Sequence, residues 1–447
     1  MMESHTLATA VAASTDLRAA VEALALLLAG ILALMVQAGF ALFGSGMVRA
    51  KNAAHGVAMV LVAYCAGVLG FWAFGFGVQM RLPALFASSA LGSSAVAALF
   101  VSRAALASVA VGISSGALAE RWKLRSLVFF TFLVGALVYP VYARWVWGPG
   151  WLAALGIRFG LGHGVVDCAG ASVMHMTGGV IGLVAAKMLG PRLGKYSPSG
   201  AVRPIPGHNM PMVVLGTFLL AAGLTALAVG WAAAGGPDGA GSAGTMAANL
   251  MLASVAGGMA AFVHTRIRFG KPDLSMMCNG LLAGIVATSA SGIFVGGLAA
   301  VVIGAVGSLL AIEGALFIER RLRIDDPVGA GAVHGLGGAW GLLSVGLFAD
   351  GRAGDGLNGV AGPVRGLFFG GSGQLVAELV GMVANLVWAA LATTVLLWLI
   401  GRLVGNRAVA EDEIAGLDVP ELGMTGYVNE GVHATLTRSS DLGHLRK

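Results

Sequence analysis

Long apolar stretches follow one another along almost the whole chain and limit what it can fold into. A helix that crosses a bilayer needs about 20 mostly apolar residues, and eleven stretches meet this requirement. Only 11% of the residues are charged, whereas a soluble protein has about 25%, so soluble enzymes, disordered tails and nucleic-acid-binding modules are excluded. The sequence predicts an all-α membrane protein with spans at residues 20–47, 55–78, 96–119, 125–147, 171–190, 211–233, 245–265, 274–291, 293–317, 328–348 and 375–401.

Lysine and arginine are divided unevenly between the two ends of these spans. With the N-terminus outside, 20 of the 27 basic residues fall in the odd-numbered loops and in the C-terminal tail. Basic residues concentrate in cytoplasmic loops, so the distribution predicts an N-out, C-in topology and an odd number of spans. The net charge of +6 then reflects topology and attraction to an anionic inner leaflet. We expect no nucleic-acid partner.

Two segments share one pattern and are predicted to enter the membrane from opposite sides. Residues 167–179 read DCAGASVMHMTGG and residues 326–338 read DPVGAGAVHGLGG, so each has Asp, seven residues, His, two residues and Gly-Gly. Each Asp opens an apolar helix, where its carboxylate can cap free N–H groups. Eight helical residues rise about 12 Å, against a half-bilayer of about 15 Å. His175 and His334 are therefore predicted near the membrane centre, in an inverted repeat of helices 1–5 and 6–10 followed by helix 11.

The two histidines are the candidate functional residues, because ionisable residues inside a membrane are functional by default. The alternative is a pair of core histidines, each satisfied by one hydrogen bond. Neutral imidazoles offer one donor and one acceptor each, so the pair could hold a small polar molecule or relay a proton.

No metal, cofactor or nucleotide is expected. No third metal ligand stands at a suitable spacing from the histidines, and Cys65, Cys168 and Cys278 form no paired motif. No phosphate-binding Gly-Lys-Ser/Thr loop is present, so a nucleotide-driven motor is not indicated. We expect a protein that is not an enzyme.

Nine stretches of sequence resemble the ammonium transporter (Amt/Rh) family, on its Amt side, over nearly the whole chain. The resemblance implies an eleven-helix bundle in the cell (inner) membrane, a homotrimer with one pore per subunit, and ammonium or ammonia as substrate. The matching stretches are VQAGFALFGSGMVRAKN at 36–52, GALAERWK at 116–123, YPVYARWVWGPGWLAALG at 139–156, DCAGASVMHMTGG at 167–179, GPRLGKY at 190–196, PGHNMPMVVLGT at 206–217, GKPDLSMMCNGLLAG at 270–284, DDPVGAGAVHGLGGAWG at 325–341 and AGLDVPELGMTGY at 415–427.

The resemblance also implies roles for individual residues. His175 and His334 match the family's twin pore histidines, and Asp167 matches an acidic residue near the outer mouth. Trp147 matches an aromatic residue of the outer recruitment site, and Tyr139 matches a ring close to it. The alternative for Trp147 is an interfacial belt tryptophan. Ammonium held over ring faces would be a cation–π contact.

The outer half of the pore departs from the family pattern, in which two phenylalanines form a gate. The first gate position falls on Leu106. The second falls on Leu227 when counted forward from the HNMP stretch, with Trp231 at the recruitment-site serine. Counting backward from the seventh span instead places Trp231 at the gate and Gly235 at the serine. Arg103 adds a positive charge that repels cations if it faces the vestibule, and leaves recruitment intact if it extends to lipid headgroups.

The leading hypothesis is a channel or transporter for ammonium or ammonia, with residues 1–402 as the membrane domain and residues 403–447 as a cytoplasmic tail. The missing gate favours an alternative, an ammonium sensor or transceptor that transports little, and a pore for another small neutral solute is a third possibility. By resemblance, the tail packs under the bundle and could bind a PII-type nitrogen-regulatory protein; the alternative is a solvated terminus.

Overall fold

The computed structural model describes residues 2–81, 91–235 and 240–427. Within these ranges the chain is helical and has no β-strand, only isolated bridges. The α-helices are α1 Met2–Leu32, α2 Leu34–Met47, α3 Ala53–Gly70, α4 Phe76–Met80, α5 Ser94–Gly116, α6 Leu124–Leu133, α7 Tyr139–Trp147, α8 Leu155–Phe159, α9 Thr177–Leu189, α10 Met210–Gly235, α11 Ala240–Phe269, α12 Leu274–Thr288, α13 Gly297–Phe317, α14 Gly337–Phe348, α15 Ser372–Leu403, α16 Ala410–Ala415 and α17 Asp418–Leu422. Turns of π-helix occur at Phe71–Gly75, Val134–Val138, Ala171–Met176, Ile318–Leu322 and Gly331–Leu336.

All eleven predicted spans coincide with helical segments, but they are not equally long. Within the described residues, ten segments are long and apolar enough to cross a membrane. The eighth predicted span corresponds to α12, which has only 15 residues and falls short of the usual spanning length. Buried turns follow it from 289 to 294, so the chain changes direction earlier than the apolar pattern indicates. The ten are Leu17–Met47, Ala50–Met80, Ser94–Gly116, Leu124–Trp147, Ala171–Leu189, Met210–Gly235, Ser242–Phe269, Gly297–Leu322, Gly331–Phe348 and Ser372–Leu403.

Small residues set the closest helix contacts, in a chain with 70 glycines. A side chain added at Gly216 on α10 would collide with the backbone of Phe43 on α2, and one added at Gly39 would collide with the backbone of Leu220. Because membrane helices associate through close packing rather than by avoiding water, such contacts are the expected source of cohesion.

The two ends of the bundle, the loop face and the tail face, carry different segments. The loop face carries the segments 148–170 and 349–371, and the tail face carries residues 404–427. Acidic and basic side chains pair at the tail face. Arg192 lies 3.0 Å from Glu120 and 2.8 Å from Asp325, and Arg49 also pairs with Glu120. Burial raises the pKa of Asp325, but the guanidinium of Arg192 outweighs it and lowers that pKa to about 2.

The described part of the tail packs against the bundle. Asp418 accepts a hydrogen bond of 2.8 Å from the backbone N–H of His55, and the N–H of Leu417 donates to Asn52 Oδ1 at 2.8 Å. Glu421 accepts a hydrogen bond from the N–H of Leu124 at 2.9 Å. These contacts agree with a docked tail up to residue 427, while residues 428–447 lie outside the described residues.

Candidate functional site

Both predicted aspartates cap the turn that carries a histidine. Asp167 accepts hydrogen bonds of 2.7–2.9 Å from the N–H groups of residues 170–173 and from the hydroxyl of Ser172. Asp326 accepts hydrogen bonds from the N–H groups of Gly329 at 3.1 Å and Gly331 at 2.7 Å. The carboxylates thus satisfy N–H groups that a helix start leaves free. Asp167 lines a cavity at the loop face and Asp326 one at the tail face, which is the opposed placement that an inverted repeat requires.

The two histidines meet inside the bundle. His175 lies in the π-helical turn before α9, and His334 lies in the π-helical turn before α14. Their Nδ1 atoms are 3.1 Å apart, at hydrogen-bonding distance, and their rings are stacked with centroids 5.1 Å apart. Both side chains are buried. Within the described chain no hydrogen bond uses either Nε2, so each ring keeps one nitrogen for a passing molecule.

The Gly-Gly pairs of the repeat allow this approach. A side chain at Gly179 would collide with the backbone of Gly335, and one at Gly338 would collide with the backbone at Ala171 and Met176. The two histidine-bearing segments therefore cross with their backbones in contact. The same local pattern of Asp, His and Gly-Gly therefore places an imidazole at a tight helix crossing in both segments.

A cavity of about 200 Å³ lies on the loop-face side of the histidines, and we call it the loop-face vestibule. Trp147 and Trp231 stand in its wall with their rings stacked, the centroids 5.5 Å apart and the planes at 11°. Trp147 Nε1 donates to the backbone carbonyl of Asp167 at 2.6 Å. Cys168 lines the same cavity, and burial raises the pKa of its thiol to about 12.

Arg103 turns into the loop-face vestibule. Its guanidinium carbon lies 4.3 Å from the ring centroid of Trp231 and 5.2 Å from that of Trp147, and the residue is 8% exposed. Of the two orientations that the sequence left open, extension to lipid headgroups is therefore wrong. The ring faces predicted to attract ammonium already carry a positive charge from the protein.

The predicted gate residues lie one helical turn below the vestibule. Leu106 follows Arg103 by three residues on α5, and Leu227 precedes Trp231 by four residues on α10, with both leucines fully buried. Trp231 and Gly235 both line the vestibule, so each of the two counts places its recruitment residue at this cavity. Tyr139 is buried against Phe71, and it is not among the described residues that line the vestibule.

On the tail-face side, a narrow apolar cavity of about 40 Å³ adjoins His334. Phe40 meets the His334 ring edge-on, with centroids 6.2 Å apart. It belongs to the VQAGF stretch, whose match to the family pointed to this position without assigning it a role. Beyond it lies a wider cavity of about 570 Å³ that opens at the tail face, with Asp326 and Lys195 among its lining residues.

Glu378 supports the vestibule from the last span, and sequence reasoning did not find this role. Its carboxylate accepts hydrogen bonds from the backbone N–H of Val166 at 3.1 Å and from Gln374 Nε2 at 2.6 Å. It thereby holds the segment that leads into Asp167. No local pattern reveals this contact, because 212 positions separate Glu378 from Val166.

Comparison with known proteins identifies the family. The model of the Ammonium Transporter Family matches residues 23–427. Ammonium transporter Amt2 of Archaeoglobus fulgidus is 36% identical over 414 residues, covering 90% of this chain and 87% of that protein. Ammonium transporter Amt1 of Haloferax mediterranei is 36% identical over 420 residues, covering 90% and 78%.

Solved structures agree with this assignment. A protein described as "Sensor Amt Protein" superposes with a TM-score of 0.82 at 29% identity, over 91% of this chain and all of that one. Mep2 of Saccharomyces cerevisiae superposes with a TM-score of 0.75 at 25% identity, over 88% of this chain and 89% of that one. The chain therefore belongs to the ammonium transporter family, a family of multi-pass membrane proteins.

Proposed function

We propose that this protein conducts ammonium nitrogen across the membrane as neutral ammonia, past the hydrogen-bonded pair of His175 and His334. The observation that carries the proposal is the position of this pair, buried at a helix crossing between the loop-face vestibule and the tail-face cavities. A bare cation in such an apolar passage would lose its hydration at a cost of tens of kcal/mol. Ammonia avoids this cost and can exchange hydrogen bonds with the two imidazoles.

The vestibule favours the neutral form as well. Arg103 lies within 4.3 Å of the Trp231 ring centroid and repels a second cation on the same rings. We propose that ammonium gives its proton to the water outside, at or before the vestibule, and that Leu106 and Leu227 form the apolar constriction below it. His175, His334, Asp167, Trp147 and Trp231 are then the binding and positioning residues of a transporter that performs no covalent chemistry.

The direct test is flux in proteoliposomes. An ammonium gradient imposed outside should raise the internal pH faster than in protein-free vesicles, because entering ammonia takes up a proton inside. The internal pH is read with a trapped pH-sensitive dye, and current is recorded on a supported membrane with the same sample. A rate equal to that of protein-free vesicles contradicts the proposal. An ammonium-dependent current that His175→Ala removes contradicts passage as neutral ammonia alone.

A sensor that transports little is the second candidate, and Arg103 in the vestibule is the observation that favours it. Likeness to a protein described as "Sensor Amt Protein" points the same way. Saturable ammonium binding by calorimetry without flux would support the sensor. Flux of other small neutral solutes, with none for ammonia, would support the third possibility.

We propose that the loop face is extracellular, following the distribution of basic residues. In a variant with Cys65, Cys168 and Cys278 replaced by alanine, Ser372→Cys should react with an impermeant maleimide added outside intact cells. Ser440→Cys, which lies outside the described residues, should react only after permeabilisation. The cysteine-free variant is the control. External labelling at Ser440→Cys would reverse the topology and the assignment of residues 403–447 as a cytoplasmic tail.

We also propose a homotrimer in the cell (inner) membrane, with a PII-type protein as a partner at the tail face. Large apolar side chains exposed on α1, α10 and α11 support contacts with lipid and with neighbouring subunits, among them Leu28, Phe218 and Met251. The docked segment 410–427 provides an ordered surface for a soluble partner. The proposed membrane domain, residues 1–402, lies above this segment.

A further inference from the structure

The loop-face vestibule contains a buried positive charge without a counter-ion. Arg103 is nine-tenths buried, and within the described residues no carboxylate lies within ion-pair distance of it. Asp167 lines the same cavity, but both of its oxygens accept hydrogen bonds from the turn that follows it. The two carboxylate oxygens are therefore engaged away from the guanidinium.

The guanidinium of Arg103 and two neighbouring side chains carry hydrogen-bond donors without acceptors. Nε and Nη1 of Arg103 are buried and have no partner among the described residues, and the same holds for Nε1 of Trp231 and the hydroxyl of Tyr139. Tyr139 lies within electrostatic range of Arg103. Three of these four groups can only donate, because guanidinium and indole nitrogens have no acceptor capacity. Buried donors that lack acceptors are costly, so this arrangement is complete only with an acceptor.

The geometry points to a binding site for a small monovalent inorganic anion, of the chloride, bromide or nitrate class, on Arg103 in the loop-face vestibule. The guanidinium and Trp231 Nε1 supply the donors, and the cavity of about 200 Å³ has room for such an ion. Val146, Ile293 and Phe294 form apolar walls, which favour a weakly hydrated monovalent ion. A divalent oxyanion would keep an uncompensated charge beside the single arginine.

A bound anion would change the electrostatic potential in the loop-face vestibule. It would neutralise the charge that Arg103 brings to the rings of Trp147 and Trp231. The binding itself requires no ammonium, so the site stands apart from the proposed transport function and can be tested without it.

The experiment is a bromide titration of the purified full-length protein in detergent, followed by tryptophan fluorescence. Sodium gluconate keeps the ionic strength constant. Collisional quenching rises linearly with bromide, whereas a bound bromide beside Trp231 adds a saturable component. We expect this component in the wild type and in Arg158→Met, a matched control at an exposed arginine of the loop face. We expect at least a tenfold weaker affinity, or no saturable component, in Arg103→Met.

A second variant keeps the test decisive if Arg103→Met does not fold. Arg103→Lys retains the charge but loses the planar arrangement of donors, and we expect severalfold weaker binding. Purely linear quenching in the wild type would overturn the proposal. So would a saturable component of equal affinity in Arg103→Met, or in Arg103→Lys when Arg103→Met is unfolded.

Discussion

Replacing either His175 or His334 by alanine should lower ammonium-driven flux about ten- to hundredfold. Each single change leaves the other imidazole with an unpaired ring nitrogen in a buried site, because the two Nδ1 atoms share one hydrogen bond. An unsatisfied buried group costs about 1–3 kcal/mol, and about 1.4 kcal/mol on a barrier changes a rate tenfold. The measurement is the initial rate of internal pH change in proteoliposomes.

Two controls define this result. His264→Ala should retain the wild-type rate, because His264 pairs with Glu313 away from the central passage and is partly exposed. The double variant of His175 and His334 should lose little more than either single variant, since both remove the same hydrogen bond. Unchanged flux and selectivity in both single variants would remove the histidine pair from the mechanism.

Asp167→Asn should destabilise the protein by about 3 kcal/mol or more and abolish most of the flux. The carboxylate accepts five hydrogen bonds, from Gly170, Ala171 and Val173 and from both donors of Ser172. An asparagine has one acceptor oxygen, and its NH₂ group would face donors. The expected observations are a lower melting temperature in detergent and a reduced transport rate.

The aspartates of this chain supply graded controls for that substitution. Asp326→Asn should cost less, because the Asp326 carboxylate accepts fewer hydrogen bonds from its turn, among them those of Gly329 and Gly331, than the five that Asp167 accepts. Asp355→Asn at the exposed loop face should leave the melting temperature nearly unchanged, since Asp355 accepts one exposed hydrogen bond, from Gly362. Equal stability of Asp167→Asn and Asp355→Asn would contradict the capping role.

The histidine pair could be predicted from the sequence because the features that position each histidine are local. The distance from Asp167 to His175 along a helix is set by the rise per residue, and the same interval occurs at Asp326 and His334. The crossing of the two segments then brings both imidazoles together. That they share a hydrogen bond through Nδ1 required the structure, since ring orientation depends on how closely Gly179 and Gly335 approach each other.

Only part of the vestibule could be predicted from the sequence. Trp147 and Trp231 were candidates, but one sequence supports two registers for the sixth span that differ by four residues, a single helical turn. The structure places Trp231 beside Trp147 and Leu227 one turn deeper. The direction of the Arg103 side chain could not be predicted from the sequence either, because the tryptophan rings that hold it come from two other helices.

By itself, the sequence determined the long apolar helices, the two aspartate-capped turns and the position of His175 and His334 within those turns. These features follow from apolar run length, capping and helical rise, which act over a few neighbouring residues. Only the tertiary structure decided the shortness of α12, the contact of Glu378 with Val166, and the insertion of Arg103 between the walls of the vestibule. Those features depend on side chains that meet from distant segments, and the physical interactions that select them exist only after the helices have packed.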